Sequence, residues 1–192
     1  MLLIIGGFFI MKKIGIGLLG VVTVLTLIGC HQLKNQMDTM VHPDHEKIED
    51  VRELLNKVLV HIAENNPELS FEDGKLLDYK SGLPHFDMLP LLEIDHFHEE
   101  DVVDGLIVRP VVDVDNPRLL IIAKAVDKAA SVNLNQAMVK VKSDQFESFE
   151  NADMLTKYLI DNNQTVRQGN FLIYVTWEDA EEIVKVFERY VQ

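Results

Sequence analysis

One stretch of this chain concentrates side chains with ligand chemistry. Asp95-His96-Phe97-His98-Glu99-Glu100-Asp101 sets two imidazoles among four carboxylates within seven positions. In an extended segment alternate side chains share a face, so His96 and His98 are expected on one side with Phe97 turned to the other. Imidazole nitrogen with carboxylate oxygen is a donor set suited to Zn²⁺, which makes His96 and His98 candidate metal ligands. The bland alternative is a solvated, charged loop before a strand. His42, Asp44, His45 and Glu46 form a smaller group of the same kind.

A different chemistry is expected at Leu27-Ile28-Gly29-Cys30, which contains the only cysteine. Lys12 and Lys13 precede an uncharged run, Ile14 to Ile28, that ends in small residues. A positive n-region, a short apolar core and small residues at its end are the parts of a secretory signal peptide. The four residues are similar to a bacterial lipobox, in which the cysteine thiol takes a diacylglyceryl group and becomes the first mature residue. An uncleaved membrane span would need roughly 20 apolar residues, and the run before Cys30 falls short. Two acyl chains hold a protein at a bilayer where one is marginal. Residues 1–30 are therefore expected to be a signal peptide, Cys30 the lipidation site, and the outer face of the cytoplasmic membrane the address. Met11 followed by two lysines is the more ordinary start, so residues 1–10 are expected to lie upstream of it, with Met1 the alternative.

Beyond Cys30 the chain has no thiol, hence no disulfide, thiolate metal site or cysteine nucleophile. The formal charge is −13 and becomes two units more negative without Lys12 and Lys13. Such a surface disfavours nucleic acid, which needs a basic patch. No GxSxG elbow, HExxH, P-loop or GxGxxG is present, and no cofactor is expected. Asp113-Val114-Asp115-Asn116 opens like a calcium loop, but Pro117, Arg118 and Lys124 occupy its fifth, sixth and twelfth positions. It reads as a turn.

The elements that must position these residues follow from periodicity. Residues 31–43 read as a flexible tether and 44–192 as a single domain. Ile48, Val51, Leu54, Leu55, Val58 and Ile62 recur at helical spacing, with Asp44 the expected cap and Asn65-Asn66-Pro67 the stop. Residues 67–100 are broken by Gly74, Gly82, Pro84 and Pro90, and hold at most a short helical turn near Leu91. Leu106–Val112 and Leu119–Val126 read as a hairpin, the first strand at an edge or bulged because of Pro110. Helices are expected from Ser131 or Asn133 to Gln145, and from Met154 to Ile160. Phe171–Val175 reads as a buried central strand, followed by a helix that Thr176 caps with Asp179. This order predicts an α+β fold, a small mainly antiparallel sheet with helices on one face after an N-terminal amphipathic helix.

Gly169-Asn170-Phe171-Leu172-Ile173-Tyr174-Val175, then Asp179-Ala180-Glu181-Glu182-Ile183 and Phe187, resemble the closing segment of a family of Gram-positive lipoproteins with a domain of unknown function. Arg118–Lys124 and Gln145 resemble its middle, so the likeness spans roughly residues 90–192. The long, His-containing front departs from it. The resemblance implies a lipid-anchored extracytoplasmic protein and brings no reaction or site residues.

Arg109 and Lys124 interrupt apolar strands and are expected to mark a solvent face, with an anionic ligand the alternative. Trp177, where strand meets helix, is expected to pack in the core. Arg167-Gln168-Gly169-Asn170 joins polar groups to a glycine and is the expected partner-contact turn. The function these features predict is a non-enzymatic, lipid-anchored accessory module for a cell-envelope partner. The alternative is a metal- or small-ligand-binding lipoprotein serving a transporter.

Overall fold

The computed structural model describes residues 47–192 apart from 81, 83, 84 and 112–114. Cys30, the His42–Glu46 group, the tether and Asp113-Val114 lie outside the described residues. Helix α1 (Val51–Asn65) starts at Asp50, whose carboxylate accepts from the Glu53 N–H at 2.8 Å. The expected cap at Asp44 is thus corrected to Asp50. Ile48 is buried ahead of the helix, its N–H bonded to the Tyr190 carbonyl at 2.9 Å. That anchoring accounts for an apolar period running past the helix start.

Residues 67–100 hold more structure than expected. Strands β1 (Leu69–Glu72) and β2 (Lys75–Asp78) pair as a hairpin. Its turn is Asp73-Gly74, with φ of 49° and 74°, the left-handed geometry that two-residue hairpin loops select. Then come β3 (Phe86–Pro90), two 3₁₀ turns (Leu91–Glu93 and Glu99–Asp101), β4 (Val102–Pro110), β5 (Leu119–Ala125), α2 (Lys128–Ser148), α3 (Met154–Asp161), β6 (Gln164–Gln168), β7 (Phe171–Thr176) and α4 (Ala180–Val191).

Strands β3 to β7 form one antiparallel sheet in the order β3-β4-β5-β7-β6. The fold is α+β with antiparallel sheets, as expected. Its helices, however, cover both faces of the sheet and not one. Leu120 and Ile122 of β5, with Ile173 and Val175 of β7, pack in one core with residues of α1 and α4. Their neighbours Ile121, Ala123, Leu172 and Tyr174 pack in a second core against Leu134, Met138 and Val141 of α2. Successive residues on a strand point to opposite faces, so strands apolar in both registers need cover on both sides.

Other boundaries shift for identifiable reasons. Helix α2 begins at Lys128 because Asp127 accepts from the Ala130 N–H at 2.8 Å, ahead of the expected Ser131 or Asn133. β4 lies inside the sheet between β3 and β5. Pro110 is tolerated there as the strand's last residue, opposite Phe86, and the register irregularity falls at Val102/Asp104, at the other end.

Lys124 does not face open solvent. Its Nζ donates to the Glu49 carbonyl at 2.8 Å and to its carboxylate at 2.9 Å, tying the start of the domain to β5. This pairing, with Lys47 adding to it, holds the Glu49 carboxyl below its ordinary value. One polar clamp crosses to the second core. Gln145 of α2 accepts from the Tyr174 hydroxyl at 2.5 Å and the Thr176 hydroxyl at 2.9 Å, and donates to the Pro117 carbonyl at 2.9 Å. Burial pushes the Tyr174 phenol up to about 12, against a smaller downward pull from Thr176.

Two outcomes follow from this packing. A methyl group on Gly105 would lie 2.6 Å from Leu91 Cδ2 and 2.8 Å from its Cβ. Gly105→Ala is therefore expected to lower unfolding stability by about 1–3 kcal/mol, measured by urea titration; unchanged stability would show that the Leu91 turn gives way freely. Tyr174 is neutral when folded at pH values where the unfolded phenol, near 10, already ionises. Stability is thus fully present below pH 10 and is lost as pH rises toward about 12, by about 2–3 kcal/mol in all. Tyr174→Phe should flatten that alkaline loss in pH-dependent melts.

Candidate functional site

The sequence-predicted site residues end in different places. Phe97 is buried in the second core, while His96 and His98 turn outward and line one hollow of about 310 Å³ with Asn133 and Lys140. The alternation expected of this segment is present. His96 is nevertheless committed, its Nε2 lying 2.5 Å from Asp144 Oδ2 on α2. Among the described residues, no three His, Cys, Asp or Glu side chains converge as a metal-ligand set. Arg167 and Gln168 belong to the end of β6, and the turn itself is Gly169-Asn170, with Gly169 at φ 60°. Arg167 Nη1 reaches Ser131 Oγ at 3.5 Å. The four residues are a β-hairpin end.

A more developed arrangement sits where β7 runs into α4. Phe171–Thr176 is buried throughout, and Thr176 spends its hydroxyl on Gln145, so it does not cap α4 as expected. The chain then turns through Trp177-Glu178-Asp179. Trp177 is 2% exposed, its ring 4.9 Å from that of Phe86, which bears out the core-packing expectation. Arg118, entering β5 from the β4–β5 connection, lies 5.7 Å over the Trp177 ring and grips the Glu178 carboxylate through both Nε and Nη2. Planar guanidinium matches carboxylate in this two-point manner.

Asp179 occupies the N-cap of α4 without capping it. The helix start is closed by its backbone carbonyl, which accepts from the Glu182 and Ile183 N–H groups at 2.9 and 3.0 Å, and its side chain makes no cap bond. By contrast Asp50, Asp127 and Asp153 each accept from a backbone N–H in the first turn at 2.8 Å. The Asp179 carboxylate lies 3.9 Å from His61 Nε2 on α1, beyond hydrogen-bond range. Burial raises its pKa, as do the Glu178 and Glu182 carboxylates beside it, while its own backbone N–H and His61 act in the opposite direction.

The Glu178-Asp179 segment forms a wall shared by two hollows. One, of about 310 Å³, is bounded by Trp177, by Tyr158 of α3 and by Asn162 just after it. The other, of about 200 Å³, is bounded by His61 and Asn65 of α1 and by Asn66 just after it. Trp177 Nε1 and Asp179 Oδ1 are buried with no hydrogen-bond partner among the described residues. Buried polar groups are nearly always satisfied, and each exception costs about 1–3 kcal/mol.

Little of this was visible in the sequence. Trp177 stood out as the only tryptophan, but His61, Arg118 and Tyr158 are separated from it in the chain and carry no motif. Asp179 was expected to serve a capping box with Thr176. The signal that could have redirected it is the strand-to-helix turn Trp177-Glu178-Asp179, where acidic residues follow a fully apolar strand.

A carboxylate that resists ionisation when folded weakens the fold as pH rises through its raised pKa. Asp179→Asn is therefore expected to raise the melting temperature by a few degrees at neutral pH. The gain should shrink in acid, where the aspartate is protonated too. Calorimetric melts across the acid range check both halves, and a destabilised variant at neutral pH would contradict the argument.

Compared with protein-family models, with curated proteins and with solved structures, the chain has no match.

Proposed function

We propose that the chain is a lipid-anchored, non-enzymatic binding module on the outer face of the cytoplasmic membrane, and that its domain takes a small ligand in the cleft beside Trp177 and Asp179. The anchor rests on Lys12, Lys13, the apolar run Ile14–Ile28 and the cysteine at Leu27-Ile28-Gly29-Cys30. The observation that carries the binding role is the hollow where β7 runs into α4, lined by Trp177, Glu178, Asp179 and Tyr158. At about 310 Å³ that hollow lies at the lower end of the range for small-molecule sites, about 300–1,000 Å³.

A second reading is favoured by the outward side of α2 and α3. Val139 of α2 and Met154, Leu155 and Tyr158 of α3 are each more than half exposed, and exposed apolar residues that form a patch often mark a protein contact. On that reading the module is an accessory to a cell-envelope protein.

Two variants of the full chain test these readings together. Cys30→Ser should release the protein from the membrane pellet into the soluble fraction; unchanged sedimentation would remove the lipid anchor. A photo-crosslinking residue at Tyr158, on the cleft rim, should yield a small-molecule adduct in cells, and the same residue at Tyr79 on the β1–β2 hairpin should not. Protein-sized adducts at Tyr158 in place of small ones would transfer support to the accessory reading.

A further inference from the structure

The two edges of the five-stranded sheet are guarded unequally. At the β3 edge Pro90 has no N–H and Asp87 adds a charge. Just before that strand, the His85 N–H bonds to the Leu76 carbonyl of β2 at 2.9 Å. Such features blunt a strand edge against pairing. At the other edge β6 is a regular strand, Gln164-Thr165-Val166-Arg167-Gln168, without proline, glycine or bulge. Its one charge is drawn back over the sheet, where Arg167 Nη1 reaches Ser131 Oγ of α2 at 3.5 Å.

The turn into β7 fixes which backbone groups of β6 are open. Gly169 at φ 60° and Asn170 make a two-residue connection closed by Gln168 and Phe171, and residues closing such a loop bond to each other. Bonded pairs alternate along an antiparallel ladder, so Gln164, Val166 and Gln168 spend their N–H and C=O groups on β7. Those of Thr165 and Arg167 point away from the sheet, and no described backbone group outside the ladder bonds to them.

Register decides what meets these open groups. About a twofold axis at Val166, a second β6 runs antiparallel to the first. Thr165 then faces Arg167 of the second copy, and Arg167 faces its Thr165. Each pair exchanges both N–H···O=C bonds, as a self-complementary interface requires. Val166 meets its own equivalent, and Gln164 meets Gln168, amides that both donate and accept. An axis on Arg167 would set two guanidinium groups directly opposite, which is destabilising. An axis on Thr165 would set Arg167 against Asn163, whose N–H is held by the Ile160 carbonyl at 3.2 Å.

We propose that β6 is a self-pairing edge, and that two copies of the chain join β6 to β6 about Val166 into one continuous antiparallel sheet. This interface is independent of the cleft beside Trp177.

The full chain in detergent micelles is expected to sediment as a dimer at micromolar concentration. Thr165→Pro removes an outward N–H from each copy and none from the ladder to β7. Once circular dichroism establishes that it is folded, its dimer should be at least about tenfold weaker, from two lost hydrogen bonds. Thr165→Lys, set opposite Arg167, should weaken association, and Thr165→Glu should strengthen it. These charge variants carry the test should Thr165→Pro prove unfolded. In a Cys30→Ser background, which removes the only thiol, Val166→Cys should give a disulfide-linked dimer on mild oxidation. Opposed residues between bonded pairs lie about 4.5 Å apart, within disulfide reach. Tyr79→Cys, at an exposed site away from β6, should not crosslink. A monomer throughout, equal effects of Lys and Glu at 165, association undiminished in folded Thr165→Pro, or crosslinking no greater for Val166→Cys than for Tyr79→Cys would overturn the proposal.

Discussion

Everything polar in this domain is arranged around strands that have no solvent face. β5 and β7 lie side by side in the sheet and send apolar side chains in both directions. Helices must then close over each side, and groups able to hydrogen-bond outward are confined to strand ends and connections. Where such a group does enter, it is matched internally. Tyr174 and Thr176 meet Gln145 across the second core, and a buried hydroxyl without that partner would carry a desolvation cost of about 1–3 kcal/mol. The same confinement explains why the cleft lies beyond β7: Glu178, after the buried Trp177, is the first residue past that strand to reach solvent.

The contrast among the helix starts gives the cleft its meaning. Three aspartates spend a carboxylate oxygen on a first-turn backbone N–H. A fourth, at the same structural position, leaves an oxygen buried and unspent. Arg118 and Lys185 absorb the acids on either side of it. A domain held by its core has no structural need for that exception, since Asn or Ser at this position would cap equally well.

Much of the architecture was legible in the residues themselves. The stripe from Ile48 to Ile62, the run Phe171–Val175 and the hairpin around Asp115-Asn116-Pro117 announced α1, β7 and β4–β5. Legibility failed where one pattern was outweighed by another. Asp73-Gly74 is a strong turn signal, yet its flanking strands are only four residues each and were hidden among Gly and Pro. β6 reads Gln-Thr-Val-Arg-Gln, too polar to announce itself, because it is an edge strand. The cleft was legible least of all. Its members come from α1, the β4–β5 connection, α3 and the β7–α4 turn, and only the folded sheet brings them together.

The clasp between Lys124 and Glu49 has a mechanical consequence. Residues 47 to 50 enter the domain pinned at two points, to the carbonyl of Tyr190 by Ile48 and to β5 by Glu49. A tug arriving from the N-terminal direction meets an interior strand and the closing helix before it meets α1. Through Lys124 that load reaches a strand bonded on both its edges.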